Sequence, residues 1–180
     1  AAELKQIVSL HLEQLDLSQQ TPARIWRLPV CYEEAFAPDL KDVVSKANLS
    51  PDEVIALHTS RILEVAIMGF LPGLGYLTGV DDALHLPRRS VPRTFVPQGS
   101  VGLAMDQTVI YPLNSPGGWN LIGRMPIPLF DQKRENPILF SAGDQVSFYA
   151  VNAEKYEELA ASCVDGSLPI CPEQADEAAL

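Results

Sequence analysis

The sequence is 180 residues long and 47% hydrophobic, with 20% charged side chains: enough apolar mass for a buried core and too little charge density for intrinsic disorder. Its 13 Lys and Arg stand against 23 Asp and Glu, a formal net charge of −10 that repels a nucleic acid backbone. Seven bases face five acids between Arg61 and Arg134, so the centre is mildly cationic and suits a small anionic ligand or an acidic partner segment.

Leu4, Ile7, Val8, Leu12 and Leu15 recur at helical spacing through Leu17. That helix has nothing before it to pack on, and reads either as an ordinary first helix or as the last helix of a domain whose front portion is missing. Ala23 to Tyr32 reads as a strand, which Pro29 places at an edge or a bulge. Leu40, Val43, Val44 and Ala47 predict a short helix from Asp39 to Ala47. Ser50, Pro51 and Glu53 form a capping box for a second helix, ending near Leu57 or His58.

From Arg61 onward the pattern changes to strands, at 62–68, 100–105, 108–111, 121–124 and 145–151, each bounded by Gly, Pro, Asn or Asp. Short strands without an equal number of helices predict an antiparallel barrel or sandwich. Asn152 caps a final helix through about Ser162, with Tyr156 and Leu159 inward, and an acidic tail follows. The expected organisation is a terminal helix and linker at 1–22, a barrel domain at 23–163 and a flexible tail at 164–180.

Cys31, Cys163 and Cys171 are odd in number and match no CxxC or Cys/His spacing, so they predict thiols in a reducing compartment and no metal site. No basic segment leads into an apolar one at the start, and the most apolar stretch, 65–77, is broken by Gly69, Pro72, Gly73 and Gly75. A cytoplasmic protein without a membrane partner is expected.

The glycine run from Gly69 to Gly79 lacks the lysine of a phosphate loop and carries a proline, so its glycines serve close approach of the backbone to another segment or to a ligand. Arg88, Arg89, Arg93 and Arg124 are candidates for an anion clamp, since guanidinium groups meet carboxylate oxygens in bidentate geometry. Adjacent Arg88 and Arg89 point to opposite faces of an extended segment, so one at most enters a given pocket. Ser115-Pro-Gly-Gly-Trp119 predicts a type II turn carrying an aromatic that is either a core plug or a ligand platform. His58 ends the capped helix, where terminal carbonyls favour its protonated form; His11 and His85 read as solvated. No nucleophile elbow or catalytic triad is visible.

Several ordered motifs carry a family resemblance: Leu28-Pro-Val-Cys-Tyr32, Leu57-His58, Gly69-Phe-x-Pro-Gly-x-x-Tyr-Leu77, Pro87-Arg88-Arg89, Pro92-Arg93, Val96-Pro-x-Gly-Ser-Val101, Ile110-Tyr-Pro112, Ser115-Pro-Gly-Gly-Trp119 and Leu121-Ile-Gly-Arg124. Together they resemble the KipI, or allophanate hydrolase subunit 1, family, whose members include the B-type subunits of 5-oxoprolinase. The resemblance covers roughly residues 23 to 158. It implies a mainly β fold, a cyclophilin-like β-barrel with a few short helices, preceded by the remnant helix of a truncated α/β domain.

For function, the resemblance implies one component of a larger enzyme, acting with a KipA-like component and a LamB/YcsF-like component to open 5-oxoproline to glutamate. ATP is used by the complex, and no cofactor is bound by this chain alone. Tyr76, Arg88, Arg93, Gln107, Tyr111, Trp119 and Arg124 are the expected substrate-binding residues, in a groove of the barrel, and His58 is a candidate proton carrier. The alternative is a KipI-type inhibitor of a sensor histidine kinase, docking through the 70–77 loop. Peptidyl-prolyl isomerase activity would rest on barrel shape alone. The chain departs from the family pattern at Leu74-Gly75, Val109 and Gln98, which bears on pocket shape.

Overall fold

A computed structural model describes residues 24–166 and Pro172; the segment Leu4–Leu17, His11, Cys171 and most of the acidic tail lie outside the described residues. The first strand, β1 (Ile25–Cys31), is followed by two helices, α1 (Leu40–Ala47) and α2 (Pro51–Thr59). The capping box forms as the sequence predicts: Ser50 Oγ accepts from the Glu53 amide at 3.2 Å, and Glu53 Oε2 accepts from the Ser50 amide at 2.7 Å. The strands β2 (Ile62–Met68), β3 (Gly75–Thr78), β4 (Arg93–Val96), β5 (Ser100–Ala104), β6 (Gln107–Ile110), β7 (Ser115–Gly117), β8 (Asn120–Arg124) and β9 (Gln145–Val151) follow. Helix α3 (Ala153–Asp165) closes the described chain, with Asn152 Oδ1 accepting from the Lys155 amide at its start.

Seven strands close a barrel in the order β1-β8-β5-β6-β3-β2-β9, while β4 and β7 pair as a separate two-stranded ribbon. The expectation of an antiparallel barrel needs one correction. β1 and β9 close the ring in parallel, in register from Ile25 opposite Gln145 to Cys31 opposite Val151. The long chain between them permits it, since a parallel pair needs a crossover rather than a hairpin.

Three strands that the sequence pattern hides, β3, β4 and β7, are only three or four residues long. Two of them carry glycines, and one of these a proline, which erases the two-residue alternation. The predicted turn at Pro116-Gly117 is instead part of β7, paired with β4 through Val96 opposite Ser115 and Arg93 opposite Gly117.

Each of the seven barrel strands contributes to one apolar interior, including Leu28, Leu63, Leu77, Leu103, Ile110, Ile122 and Phe148. The wall formed by β3, β6, β5 and β8 is buried on its outer face too. Alternate residues on it, Val109, Ala104 and Leu121, join Leu74, Val96, Tyr111 and Trp119 in a second cluster. Double burial explains why every residue of β5 is buried, and it makes the outside of this wall the place where a site can form. No helix among the described residues is long and apolar enough to cross a membrane.

Candidate functional site

A cavity of about 280 Å³ opens over the second cluster, between the outer face of the barrel wall and the ribbon; Phe70, Tyr76, Arg88, Val109, Tyr111 and Trp119 are among its lining residues. It lies outside the barrel. The expected groove within the barrel is corrected by the apolar side chains from all seven strands that fill the interior.

Trp119 is 6% exposed, so it plugs the second cluster and presents a face to the cavity at once. Its packing depends on Gly102, where a Cβ would lie 2.9 Å from the Trp119 Cβ. The Tyr76 ring stands 6.0 Å from Trp119 and tilted by 51°. The Arg88 guanidinium carbon lies 5.3 Å from the Trp119 ring centroid, within cation–π range. The Tyr111 pKa is pushed up to about 12 by burial, against the lowering influence of the Arg88 and Arg93 charges. It is a neutral phenol at physiological pH, suited to hydrogen bonding rather than to proton abstraction. Gly117 is required beside it, because a Cβ there would sit 2.3 Å from Tyr111 Oη. At the mouth, Phe70 is 65% exposed and holds a left-handed backbone with φ of 68°, a costly conformation for a bulky residue.

The four candidate arginines do not converge, and the expected binding set of Arg88, Arg93 and Arg124 does not assemble. Of the four, Arg88 alone lines the cavity. Arg89 and Arg93 turn the other way and each donates to Asp39 Oδ1 at 2.6 Å. Asp39 is 2% exposed; its Oδ2 accepts from the Leu121 amide at 2.7 Å, and its own amide donates to the Leu121 carbonyl at 2.9 Å. Arg124 is elsewhere, its guanidinium 5.8 Å from the Phe36 ring. Gln107 begins β6 opposite Thr78, on the face that carries Val109 but outside the cavity lining.

His58 is also apart from the cavity, on the interior side of β6. It is 2% exposed, stacked on Phe148 with ring centroids 4.7 Å apart. Its pKa is lowered to about 3 by burial, opposite in direction to the effect expected from the helix end. The hydrogen bonds fix its tautomer. Thr108 Oγ1 donates to the Gly102 carbonyl at 3.0 Å, so at 3.2 Å it accepts from His58 Nε2, and Nδ1 accepts from Tyr32 Oη at 2.7 Å. Both ring nitrogens of this candidate proton carrier are occupied, so the ring braces the end of α2 against Tyr32 and Thr108. His85, read as solvated, is exposed, with Nε2 3.2 Å from the Val80 carbonyl oxygen.

The arrangement can therefore hold a small, flat, anionic molecule: aromatic faces for the ring, one guanidinium for the charge and phenol hydroxyls for polar edges. Among the described residues no group of three or more His, Cys, Asp or Glu converges as a metal ion would require. Asp39 and Gly117 are not among the residues the sequence marks for this site, and Phe70 is marked only as part of an exposed docking loop. The Gly-Phe and Pro-Gly-Gly motifs contained the last two, but nothing local marks an aspartate whose partners lie 50 and 54 residues away.

The carboxyltransferase domain, subdomain C and D, family model matches residues 1–140. Among curated relatives, the B-type subunit of 5-oxoprolinase from Bacillus subtilis (strain 168) is 40% identical over 153 residues, covering 85% of this chain and 64% of that protein. The protein of the same name from Escherichia coli O157:H7 is 46% identical over 126 residues, 70% of this chain and 58% of that one. The chain thus spans less than two thirds of either relative. A conserved uncharacterized protein from Pyrococcus horikoshii superimposes with a TM-score of 0.71 at 36% identity, covering 86% of this chain and 69% of that one. The K. lactis urea amidolyase gives a TM-score of 0.76 at 23% identity over 96% of this chain and 12% of its own, a likeness of fold.

Proposed function

This chain belongs to the carboxyltransferase domain, subdomain C and D, family, and on that premise we propose that it is the substrate-binding barrel of a B-type subunit of 5-oxoprolinase. The observation that carries this reading is the Arg88 guanidinium beside Trp119 in a small aromatic cavity. 5-Oxoproline is a five-membered lactam bearing one carboxylate. Its ring suits the faces of Trp119 and Tyr76, and its carboxylate suits Arg88. In the reaction, water adds to the lactam carbonyl, the C–N bond breaks to give glutamate, and ATP is hydrolysed to ADP and phosphate.

The chain's own part is to bind and orient. The phenol of Tyr111 is held neutral, and His58 faces the barrel interior, so proton transfer and the phosphoryl step fall to partners, a KipA-like component and a LamB/YcsF-like component. The test is glutamate release from 5-oxoproline and ATP by the full-length native protein mixed with those two components. Turnover that needs all three supports the reading, and no turnover by the complete mixture removes it.

A second reading is a KipI-type inhibitor of a sensor histidine kinase. It is favoured by the exposed Phe70 of the 70–77 loop and by the exposed Val91 and Phe95. Unchanged kinase autophosphorylation in the presence of the protein eliminates it.

A further inference from the structure

Arg88 is an exposed residue in a loop between two prolines, yet its position over Trp119 is defined. The loop is tied down on both sides of Arg88. Asn120 Nδ2 donates to the Pro87 carbonyl at 3.0 Å, immediately before Arg88. The Arg89 amide donates to the Gly118 carbonyl at 2.8 Å, immediately after it. The Arg89 side chain then turns away to Asp39, and Arg93 arrives at the same carboxylate oxygen from β4, whose backbone pairs with Gly117. Adjacent residues of an extended segment point to opposite sides, so a fixed Arg89 fixes the direction of Arg88.

Resting on the substrate reading above, we propose that Asp39 is the positioning residue of this site: by holding Arg89 and Arg93 it sets Arg88 over Trp119, where the guanidinium meets the substrate carboxylate. Asp39 does not touch the cavity. Its carboxylate is desolvated and takes three donors, two guanidinium groups and the Leu121 amide, so it has one rigid arrangement rather than several. The Leu121 bond ties the start of α1 to β8, so the arginine loop, the ribbon and the barrel wall share one anchor. Although Asp39 stands at the helix N-cap position, its side chain makes no cap hydrogen bond. Both oxygens are committed to the clasp.

The test is a double-mutant cycle in the full-length protein with its two partner components. Asp39→Asn raises KM for 5-oxoproline about tenfold with kcat within about twofold, and changes KM by less than about twofold when Arg88→Met is already present. Equal effects on KM in the two backgrounds would overturn the proposal. A second readout needs no turnover. In fluorotryptophan-labelled protein, the fluorine NMR signal of Trp119, assigned by its loss in Trp119→Phe, moves in the same direction in Asp39→Asn and Arg88→Met. A Trp119 signal unmoved by Asp39→Asn but moved by Arg88→Met contradicts it.

Should Asp39→Asn fail to fold, Arg89→Gln cuts only one arm of the clasp at a partly exposed side chain. It gives a smaller displacement in the same direction, and no displacement overturns the proposal. If the wild-type mixture does not open 5-oxoproline while the Trp119 signal moves as stated, the substrate reading falls and the positioning role stands.

Discussion

The two faces of one barrel wall differ in what they bury and in what that burial does. On the inner face, Leu77, Leu103, Ile110 and Ile122 meet apolar side chains from the rest of the ring. One polar group enclosed there, His58, has both ring nitrogens matched by Tyr32 or Thr108. On the outer face, Trp119 and Tyr111 are equally buried, but they border an open cavity beside a charged, solvent-reaching Arg88. The inner face is packed, closed to solvent, and confers stability. The outer face is incomplete, and a ligand can complete it. Burial alone therefore does not distinguish core from site; an open, solvent-reaching border does.

Substitutions on the two faces separate these roles. Leu63→Ala, in the interior away from the cavity, lowers unfolding free energy by about 3 kcal/mol in urea titration and leaves KM for 5-oxoproline within about twofold. Arg88→Met does the reverse, raising KM about thirtyfold while changing unfolding free energy by less than about 0.5 kcal/mol. Gly117→Ala tests the contact between ribbon and cavity. Its methyl would fall 2.3 Å from Tyr111 Oη, so the hydroxyl must move and KM rises about tenfold.

The remaining effect belongs to His58 and depends on pH. Its folded-state pKa of about 3 lies below the ordinary 6.5, so between these values the unfolded chain binds more protons than the folded one. The stabilisation is fully present above 6.5 and is lost as pH falls toward 3, at on the order of 1 kcal/mol per pH unit. His58→Gln flattens that slope between pH 7 and 4.5. An unchanged slope would mean that His58 is not the group responsible.

Local chemistry made much of the frame legible. Ser50, Pro51 and Glu53 announce α2, and the bounds of β9 follow from its flanking residues. Long-range partnership did not show. Arg88, Arg89 and Arg93 look alike in sequence, and only folding brings Asp39 to two of them, leaving the third for the cavity. Likewise, the expectation for His58 came from its place at a helix end, whereas its environment is set by Tyr32, just after β1, and by Thr108 of β6 and Phe148 of β9. The short strands β3, β4 and β7 define the cavity and carry too few residues to display a period.

The most direct measurement is a crystal structure of the protein with the two proposed partner components and 5-oxoproline. The carboxylate is expected within hydrogen-bonding distance of Arg88 and the lactam ring against Trp119. Electron density for the ligand at any other place, with the Arg88 and Trp119 cavity unoccupied, would contradict that placement.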